Sequence, residues 1–430
     1  MVRGLRESLS LPAFFKSLTE LRERRGLKTT LLGIGPMSER IVRVSLQAAK
    51  SRDFPVMFIA SRNQVDLKDL GGGYVSSWDQ RSFVETIREM ARELQFTGLY
   101  YVCRDHGGPW QRDSEQLKKL SAEKAMNIAK RSYLEDLLQG FDMLHIDPTK
   151  DPHAAEGIDL ETVVKRTVTL IEYIEKQRKT RGLPEVAFEV GTEETSGGLT
   201  DPETFEWYIK NINSILTRKD LPHPMFIVGQ TGTLVRMTKN VGSFNARAAQ
   251  TLSRLALRHD TGLKEHNADY LDDATLFLHP VLGITAANVA PEFGWAETDS
   301  YLELGRVEEE ARNANYLSSS SNIIDTISKK AVWSERWRKW MVGTTHEMAV
   351  EEVEKDHQLR MQIARICGHY VFDDPEVVDS IKQLKRNLAN LGLDADHFVD
   401  DRVARSIGRY VTCFNLDNLT STILTQNGLQ

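Results

Sequence analysis

The sequence predicts an α/β protein built as a (β/α)8 TIM barrel with a C-terminal helical extension. Eight short apolar runs, rich in β-branched and aromatic residues, alternate with amphipathic stretches. Runs that are apolar throughout are typical of strands buried on both faces, as in parallel sheets. A (β/α)8 barrel needs eight strand–helix units over roughly 250 residues. The runs cover residues 30–35, 56–61, 99–103, 142–147, 186–191, 225–229, 262–266 and 283–290.

The stretches between these runs place apolar residues three and four positions apart, which is the spacing of one helix face. Two of these stretches begin with residues typical of a helix N-terminus. Asp201 and Pro202 combine an N-cap with a proline at the first helical position, and an acidic first turn begins at Asp159. The predicted helices cover residues 38–49, 79–94, 114–139, 159–180, 202–216 and 244–258.

An open, doubly wound sheet is the alternative to a closed barrel. Its dinucleotide-binding form carries Gly-x-Gly-x-x-Gly between the first strand and the first helix. In this chain the first strand runs into Gly33-Ile34-Gly35-Pro36, so a proline stands where that pattern would continue. The closed barrel is therefore favoured.

The alternation of strands and helices stops after about residue 310. We therefore predict a barrel over residues 1–310 and a C-terminal helical region, residues 311–430, packed on it. Trp333, Trp337 and Trp340 are spaced four and three apart, as on one face of a helix. We expect this face to pack against the barrel; the alternative is a surface for a partner protein.

Composition excludes several classes of function. The 430 residues include 55 Lys and Arg against 61 Asp and Glu, a net charge of −6, so there is no basic excess for nucleic acid or an anionic membrane. Three scattered cysteines are too few for a disulfide framework or a structural zinc site. Neither a transmembrane run nor a signal peptide is recognisable. The composition favours a cytoplasmic enzyme.

Polar groups follow seven of the eight predicted strands, where the active site of a (β/α)8 barrel lies. His106 and His266 come from strands four apart in the ring, so both can face one central point. Two imidazoles and a carboxylate make an open site for a divalent metal ion, such as zinc or manganese. Glu193, in the loop after the fifth strand, is the expected carboxylate, and the mid-strand Glu189 is the alternative.

Asp105 and Asp147 are the candidates for proton transfer, with the alternative that each only orients a neighbouring side chain. His145 is expected to be a core histidine. Lys264 is a candidate for a different mechanism, Schiff-base catalysis, because a desolvated lysine can form a Schiff base with a ketose. The adjacent Glu265 favours an ion-paired lysine instead.

Seven short motifs occur in order along the chain at residues 61–65 (SRNQV), 71–74 (GGGY), 104–109 (RDHGGP), 145–148 (HIDP), 189–193 (EVGTE), 228–232 (VGQTG) and 265–270 (EHNADY). Together they resemble the Z subunit family of class II D-tagatose-1,6-bisphosphate aldolase over about residues 30–300. That family has also carried the label tagatose-6-phosphate kinase. The chain lacks the Gly-x-x-x-x-Gly-Lys-[Ser/Thr] loop of many kinases, so this label gains no support.

The resemblance implies a divalent metal, a catalytic aspartate at Asp105 and metal-binding histidines at His106 and His266. Catalytic class II subunits are expected to carry another metal histidine near residues 229–231, which this chain lacks. The absence fits a non-catalytic Z subunit that stabilises a catalytic partner chain. It also fits relatives that resemble ketose or tagaturonate 4-epimerases.

Two hypotheses of function result. In the first, the chain performs metal-assisted aldol chemistry or C4 epimerisation of a ketose or ketose phosphate, and Asn63, Gln230 and Asn288 hold sugar hydroxyls. In the second, it is a non-catalytic stabilising subunit of a class II tagatose-bisphosphate aldolase. Its partner would be a catalytic aldolase chain, or further copies of itself. Polar groups at seven strand ends favour the first, because barrel stability needs none of them.

Overall fold

A computed structural model describes residues 9–154, 157–192 and 198–429. Eight parallel strands form a closed barrel, in which the last strand pairs with the first. The prediction of a (β/α)8 barrel is confirmed. The barrel strands are β1 (Leu31–Ile34), β2 (Val56–Ser61), β3 (Tyr100–Gly107), β4 (Met143–Ile146), β5 (Ala187–Gly191), β6 (Phe226–Val228), β9 (Gly262–Glu265) and β10 (Ala286–Val289), and a hairpin of β7 (Val235–Arg236) and β8 (Lys239–Asn240) follows β6.

Helices cover the outside of the barrel and continue beyond it. The described residues form α1 (Leu11–Arg25), α2 (Glu39–Arg52), α3 (Gln80–Glu93), α4 (Asp113–Leu117), α5 (Ala122–Gln139), α6 (Leu160–Arg181), α7 (Pro202–Arg218), α8 (Ala246–Arg258), α9 (Asp273–Leu282), α10 (Pro291–Asn313), α11 (Ile323–Trp333), α12 (Val350–Lys355), α13 (His357–Cys367), α14 (Pro375–Asn390), α15 (Ala395–Cys413) and α16 (Leu419–Gln426). None of these helices is long and apolar enough to cross a membrane.

Side-chain caps account for most helix starts. Asp159 and Asp201 cap α6 and α7 by accepting backbone N–H groups, as predicted. The predicted helix over residues 114–139 is two helices, α4 and α5. The chain turns between them at Lys119, which has a φ of 43°, and Ser121 then caps the second helix.

The barrel strands are buried along nearly their whole length, because helices cover their outer faces and side chains fill the interior. This explains why their sequences are apolar throughout rather than alternating. The polar exceptions gather at the C-terminal ends of the strands, and they form the site described below.

The C-terminal region has apolar contacts of its own and also joins the barrel core. Residues of α10, α11, α14 and α15, among them Leu302, Ile327 and Leu384, form a separate apolar cluster. The later part of α15, with Ile407 and Tyr410, belongs to the core of the barrel. The division after residue 310 stays a prediction, because α10 extends across it and Leu302 of this cluster lies before it.

The three tryptophans do not share one helix face, so that prediction was wrong. α11 ends at Trp333, because Glu335 adopts a left-handed conformation with a φ of 54°. Trp337 is fully buried in the 3-10 turn that follows, while Trp333 is half exposed. The carbonyl of Trp340 accepts a hydrogen bond from the backbone N of Met237 at 3.0 Å. This turn therefore meets the β7–β8 hairpin above the barrel.

Candidate metal centre at the barrel mouth

A cavity of about 530 Å³ opens at the C-terminal end of the barrel strands. Six of the residues expected at this mouth from the sequence line it together: Asn63, Asp105, His106, Asp147, His266 and Asn288. Residues from distant parts of the chain complete the wall. The strand ends therefore converge on one space, as the barrel requires.

An irregularity at the end of β3 turns two consecutive side chains toward the cavity. In a regular strand Asp105 and His106 would point to opposite faces. The register between β3 and β4 shifts after Arg104, and His106 has a φ of 42°. Non-glycine residues adopt this conformation at a cost of about 1–3 kcal/mol, so the surrounding contacts must hold it in place. Both side chains line the cavity as a result.

The imidazole of His106 is held from behind by a carboxylate. Its Nδ1 lies 2.7 Å from Oδ2 of Asp147. The other oxygen of Asp147 accepts a hydrogen bond from the backbone N of Thr149 at 3.2 Å. The backbone N of His106 donates to Nδ1 of His145 at 3.1 Å. These contacts leave Nε2 of His106 facing the ring of His266.

His266 is held in the same manner by a buried ion pair. Its Nε2 lies 2.6 Å from Oε1 of Glu189, and Nζ of Lys264 donates to Oε2 of Glu189 at 2.6 Å. The side chains of Glu189 and Lys264 have no exposed surface. Lys264 is ion-paired, as expected, but with Glu189. Its neighbour Glu265 instead accepts a hydrogen bond from Thr231 at 2.9 Å.

The two histidines hydrogen-bond to each other through one ring nitrogen each, and the carboxylate of Asp105 lies beside them. Nε2 of His106 and Nδ1 of His266 are 3.2 Å apart, and Oδ1 of Asp105 lies 3.7 Å from Nδ1 of His266. Two nitrogens bound at about 2.0–2.1 Å to one tetrahedral zinc ion stand roughly 3.3 Å apart. His145 and His266 belong to two overlapping groups of potential ligands, one completed by His106 and the other by Asp105 and Glu189. This donor set fits a divalent metal ion.

The surrounding charges shift the pKa values of the histidines in opposite directions. Burial acts to lower the pKa of His106, but the carboxylates of Asp105 and Asp147 outweigh it and raise this pKa to about 9. Burial lowers the pKa of His145 to about 4, although Glu189 opposes the shift. A neutral His145 can accept the backbone N–H of His106, as the geometry requires.

The carboxylates of the site have pKa values below their ordinary ranges. Burial acts to raise the pKa of Asp105 and of Asp147, but in both cases the neighbouring His106 contributes to an overall lowering. Lys264 makes the leading contribution that lowers the pKa of Glu189 against the effect of burial. All three carboxylates are therefore charged at neutral pH.

Asn288 is an orienting residue for Asp105. Its Nδ2 donates to Oδ1 of Asp105 at 3.1 Å, and its own Oδ1 is buried without a hydrogen-bond partner among the described residues. Asn63 lines the cavity as well, and its Oδ1 accepts from the backbone N of Asp113 at 3.2 Å. Nδ2 of Asn63 donates to the backbone oxygen of Gln111 at 3.3 Å, so of the two asparagines Asn288 has the unpaired oxygen.

Of the remaining predicted site residues, one lies away from this cavity and one falls outside the described residues. Gln230 is buried and is not part of the cavity lining; its backbone N donates to Oγ1 of Thr200 at 2.7 Å. Glu193 lies outside the described residues, so its role as a metal ligand stays a prediction.

Three cations at the mouth were not found from the sequence. Lys150 follows β4, Arg236 lies in the hairpin, and Lys339 comes from the 3-10 turn of the C-terminal region; all three line the cavity. The ring of Tyr370 lies beside Lys339, with Nζ 5.9 Å from its centre. These residues carry no shared motif, so only the tertiary contacts could reveal them.

Comparison with known proteins agrees with this architecture. Residues 16–399 match a family model described as D-tagatose-1,6-bisphosphate aldolase subunit GatZ/KbaZ-like. A probable tagatose 6 phosphate kinase from Sinorhizobium meliloti 1021 is 17% identical, with 89% of this chain and 100% of that chain covered and a TM-score of 0.71. The fructuronate-tagaturonate epimerase UxaE from Cohnella laeviribosi is 14% identical, with 90% and 81% covered and a TM-score of 0.57. At these identities the two structures show a shared fold alone. No curated protein is a significant match.

Proposed function

This chain belongs to the D-tagatose-1,6-bisphosphate aldolase subunit GatZ/KbaZ-like family of carbohydrate metabolism, and from that premise we propose that it is a metal-dependent enzyme acting on a ketose or ketose phosphate. The reaction is aldol cleavage or C4 epimerisation. One observation carries the proposal: two histidines, each held by a carboxylate at its outer nitrogen, face each other beside a charged aspartate.

His106 and His266 would hold the metal through Nε2 and Nδ1. Glu193 remains the carboxylate ligand that the sequence predicts, since Glu189 is already engaged by His266 and Lys264. A bound zinc or manganese ion supplies a Lewis acid for the negative charge that both aldol cleavage and C4 proton removal build up.

Asp105 is the proposed proton-transfer residue. It lines the cavity, its pKa is below the ordinary range, and Asn288 holds one of its oxygens. A charged carboxylate in this position can accept the proton of a substrate hydroxyl or carbon. Asp147 has its carboxylate on His106, so its proposed role is to position that ring. The unpaired oxygen of Asn288 is the proposed partner for a sugar hydroxyl, and Asn63 would have to exchange its bonds to Gln111 and Asp113 to bind another.

The cations at the mouth favour an anionic substrate. Lys150, Arg236 and Lys339 line the same cavity as the histidines, and none of them makes an ion pair shorter than 3.9 Å among the described residues. A phosphate or carboxylate group at one end of the sugar would supply their missing partner. This supports a ketose phosphate or ketohexuronate over a neutral ketose.

A role as a non-catalytic subunit is the second candidate. The matching family is described as an aldolase subunit, and the metal histidine expected near residues 229–231 of a catalytic class II chain is absent. The two roles predict different behaviour of the isolated chain. The test incubates zinc- or manganese-loaded protein with ketohexoses, ketohexuronates and their phosphates. Cleavage yields a triose, whereas epimerisation preserves the carbon count and inverts C4.

Activity of the isolated chain on one member of this panel would support the enzyme. Inactivity across the panel, followed by activity only when a catalytic aldolase chain is added, would support the subunit.

We further propose a cytoplasmic location. Three buried cysteines joined by no disulfide suit a reducing compartment, where thiols persist.

A further inference from the structure

The buried pair of Lys264 and Glu189 lies behind the candidate metal centre and does not line the cavity. Both side chains come from strand interiors and have no exposed surface. A buried ion pair adds little net stability, since the cost of removing two charges from water offsets most of their attraction. Stability therefore does not account for this pair.

The contacts of Glu189 determine which nitrogen of His266 carries a proton. An ionised carboxylate only accepts hydrogen bonds, so Nε2 of His266, at 2.6 Å from Oε1, must be the donor. A neutral imidazole has one protonated nitrogen. The lone pair of His266 is then on Nδ1, the atom that faces His106 and Asp105.

Lys264 in turn determines how Glu189 is held. Its Nζ donates to Oε2 at 2.6 Å, and among the described residues it pairs with no other carboxylate. Lys264 lies in β9 and His266 directly follows that strand, and both side chains reach the carboxylate of Glu189. One end of Glu189 is thus bound by a group that can only donate, and the other end faces the histidine.

We propose that Lys264 and Glu189 are positioning residues that impose the Nε2-protonated form of His266, so that Nδ1 is the nitrogen offered to a metal ion. The metal part of this inference rests on the proposed function. Its structural part, the tautomer of His266, does not. Partners of this kind behind a ligand histidine typically change metal affinity by about 10–100-fold.

The pair allows a test in which a second substitution reverses the first. In Glu189→Gln, Lys264 can only donate, so it binds the amide oxygen and turns the amide NH2 toward His266. Nε2 of His266 must then accept, which moves the ring proton to Nδ1, the nitrogen needed for the metal. In the double variant Lys264→Met, Glu189→Gln, the amide is free to turn its oxygen back toward His266.

The tautomer is read from [15N]histidine-labelled, metal-free protein by two-bond 1H–15N correlation, with His266 assigned from the His266→Gln variant. Zinc affinity is measured by competition with a chelator. We expect Nε2–H in the unmodified protein and Nδ1–H in Glu189→Gln, with zinc affinity lowered about 100-fold. In the double variant, His266 should again carry its proton on Nε2. Its zinc affinity should be at least about tenfold higher than that of Glu189→Gln.

Arg178→Met is the matched control, because it breaks the Glu175–Arg178 ion pair on α6, away from the cavity. It should change neither the tautomer nor the zinc affinity. An unchanged tautomer in Glu189→Gln would overturn the inference, as would a double variant no better than the single one. If the unmodified protein binds neither zinc nor manganese, the proposed function fails, whereas the tautomer comparison still decides this inference.

Discussion

His106 and His266 are 160 positions apart in the chain, yet Nε2 of the first lies 3.2 Å from Nδ1 of the second. They come from the ends of strands that stand opposite each other in the barrel. The nitrogen of each ring that faces away from the other histidine is bound to a carboxylate, Asp147 for His106 and Glu189 for His266. The rings are therefore oriented before any ligand arrives.

Replacing either histidine should remove most metal binding. In His106→Gln or His266→Gln, one of two facing nitrogens is lost, so we expect zinc affinity to fall by more than the roughly 10–100-fold effect of a supporting residue. Metal analysis and chelator competition measure this. His346→Gln, at a half-exposed histidine, is the control. Unchanged affinity in both site variants would remove the metal from the proposal.

Asp147→Asn should weaken metal binding less than loss of His106 does. The amide is uncharged and can present either its oxygen or its NH2 group to Nδ1 of His106, so the ring loses a defined partner. We expect an affinity decrease of about 10–100-fold with the fold retained. Chelator competition and circular dichroism test both parts. A decrease as large as that of His106→Gln would instead indicate that Asp147 is a ligand.

Gly33→Ala should disturb Asp105 through Asn288. A Cβ atom at Gly33 would lie 2.3 Å from Oδ1 of Asn288, so the amide must move away from its present position. Asp105 then loses its hydrogen-bond donor, and a misplacement of about 1 Å can lower turnover by about 100-fold. Steady-state kinetics on the ketose identified in the substrate panel measure this.

Gly408→Ala is the control for that substitution. The nearest neighbour of its new Cβ would be the guanidinium of Arg52 at 3.3 Å, the end of a flexible side chain. We expect unchanged turnover in this variant. Equal turnover in Gly33→Ala and Gly408→Ala would show that the position of Asn288 does not matter for the reaction.

Lys339→Met should weaken binding of an anionic substrate selectively. A hydrogen bond to a charged group is worth about 1.5–3 kcal/mol, so KM for a ketose phosphate or ketohexuronate should rise about 10–100-fold. KM for a neutral analogue should stay unchanged. Lys382→Met, on α14, serves as the control. An equal rise of KM for charged and neutral substrates would contradict an anion-binding role.

The stability of the protein should depend on the protonation of Asp269. Burial raises the pKa of this carboxyl to about 8, aided by the charge of Glu292 and partly offset by the backbone N–H groups it accepts. An unfolded aspartate has a pKa of about 3.9, so between pH 4 and 8 the folded state holds a proton that the unfolded state releases. Stability therefore falls as pH rises through this window.

Asp269→Asn removes that dependence, because an amide does not ionise and its oxygen can still accept the N–H groups of Ala290 and Glu292. Relative to this variant, the unmodified protein should lose up to about 1.4 kcal/mol of unfolding free energy per pH unit. Urea unfolding between pH 5 and 8 measures it. Asp379→Asn, at an exposed residue, should leave the slope unchanged. Parallel curves for Asp269→Asn and the unmodified protein would contradict the prediction.

The sequence alone determined the barrel and the location of the site. Strands buried on both faces leave continuous apolar runs, and helices leave caps such as Asp159 and Asp201, so these signals are local. The topology then places every strand end at one mouth, which is why His106 and His266 could be recognised as facing residues. The end of α11 at Trp333, by contrast, could not be predicted from the sequence, because the helical spacing of tryptophans continues to Trp337 and Trp340.

The tertiary structure alone decided how the candidate centre is arranged. The irregular end of β3 lets Asp105 and His106 both reach the cavity, against the alternation expected of a strand. Lys264 on β9 pairs with Glu189 on β5, two strands away in the barrel, rather than with the adjacent Glu265. Lys339 arrives from the C-terminal region. Periodicity reports which face a residue occupies, whereas these partners depend on distances between strands and turns far apart in the chain, which no local pattern encodes.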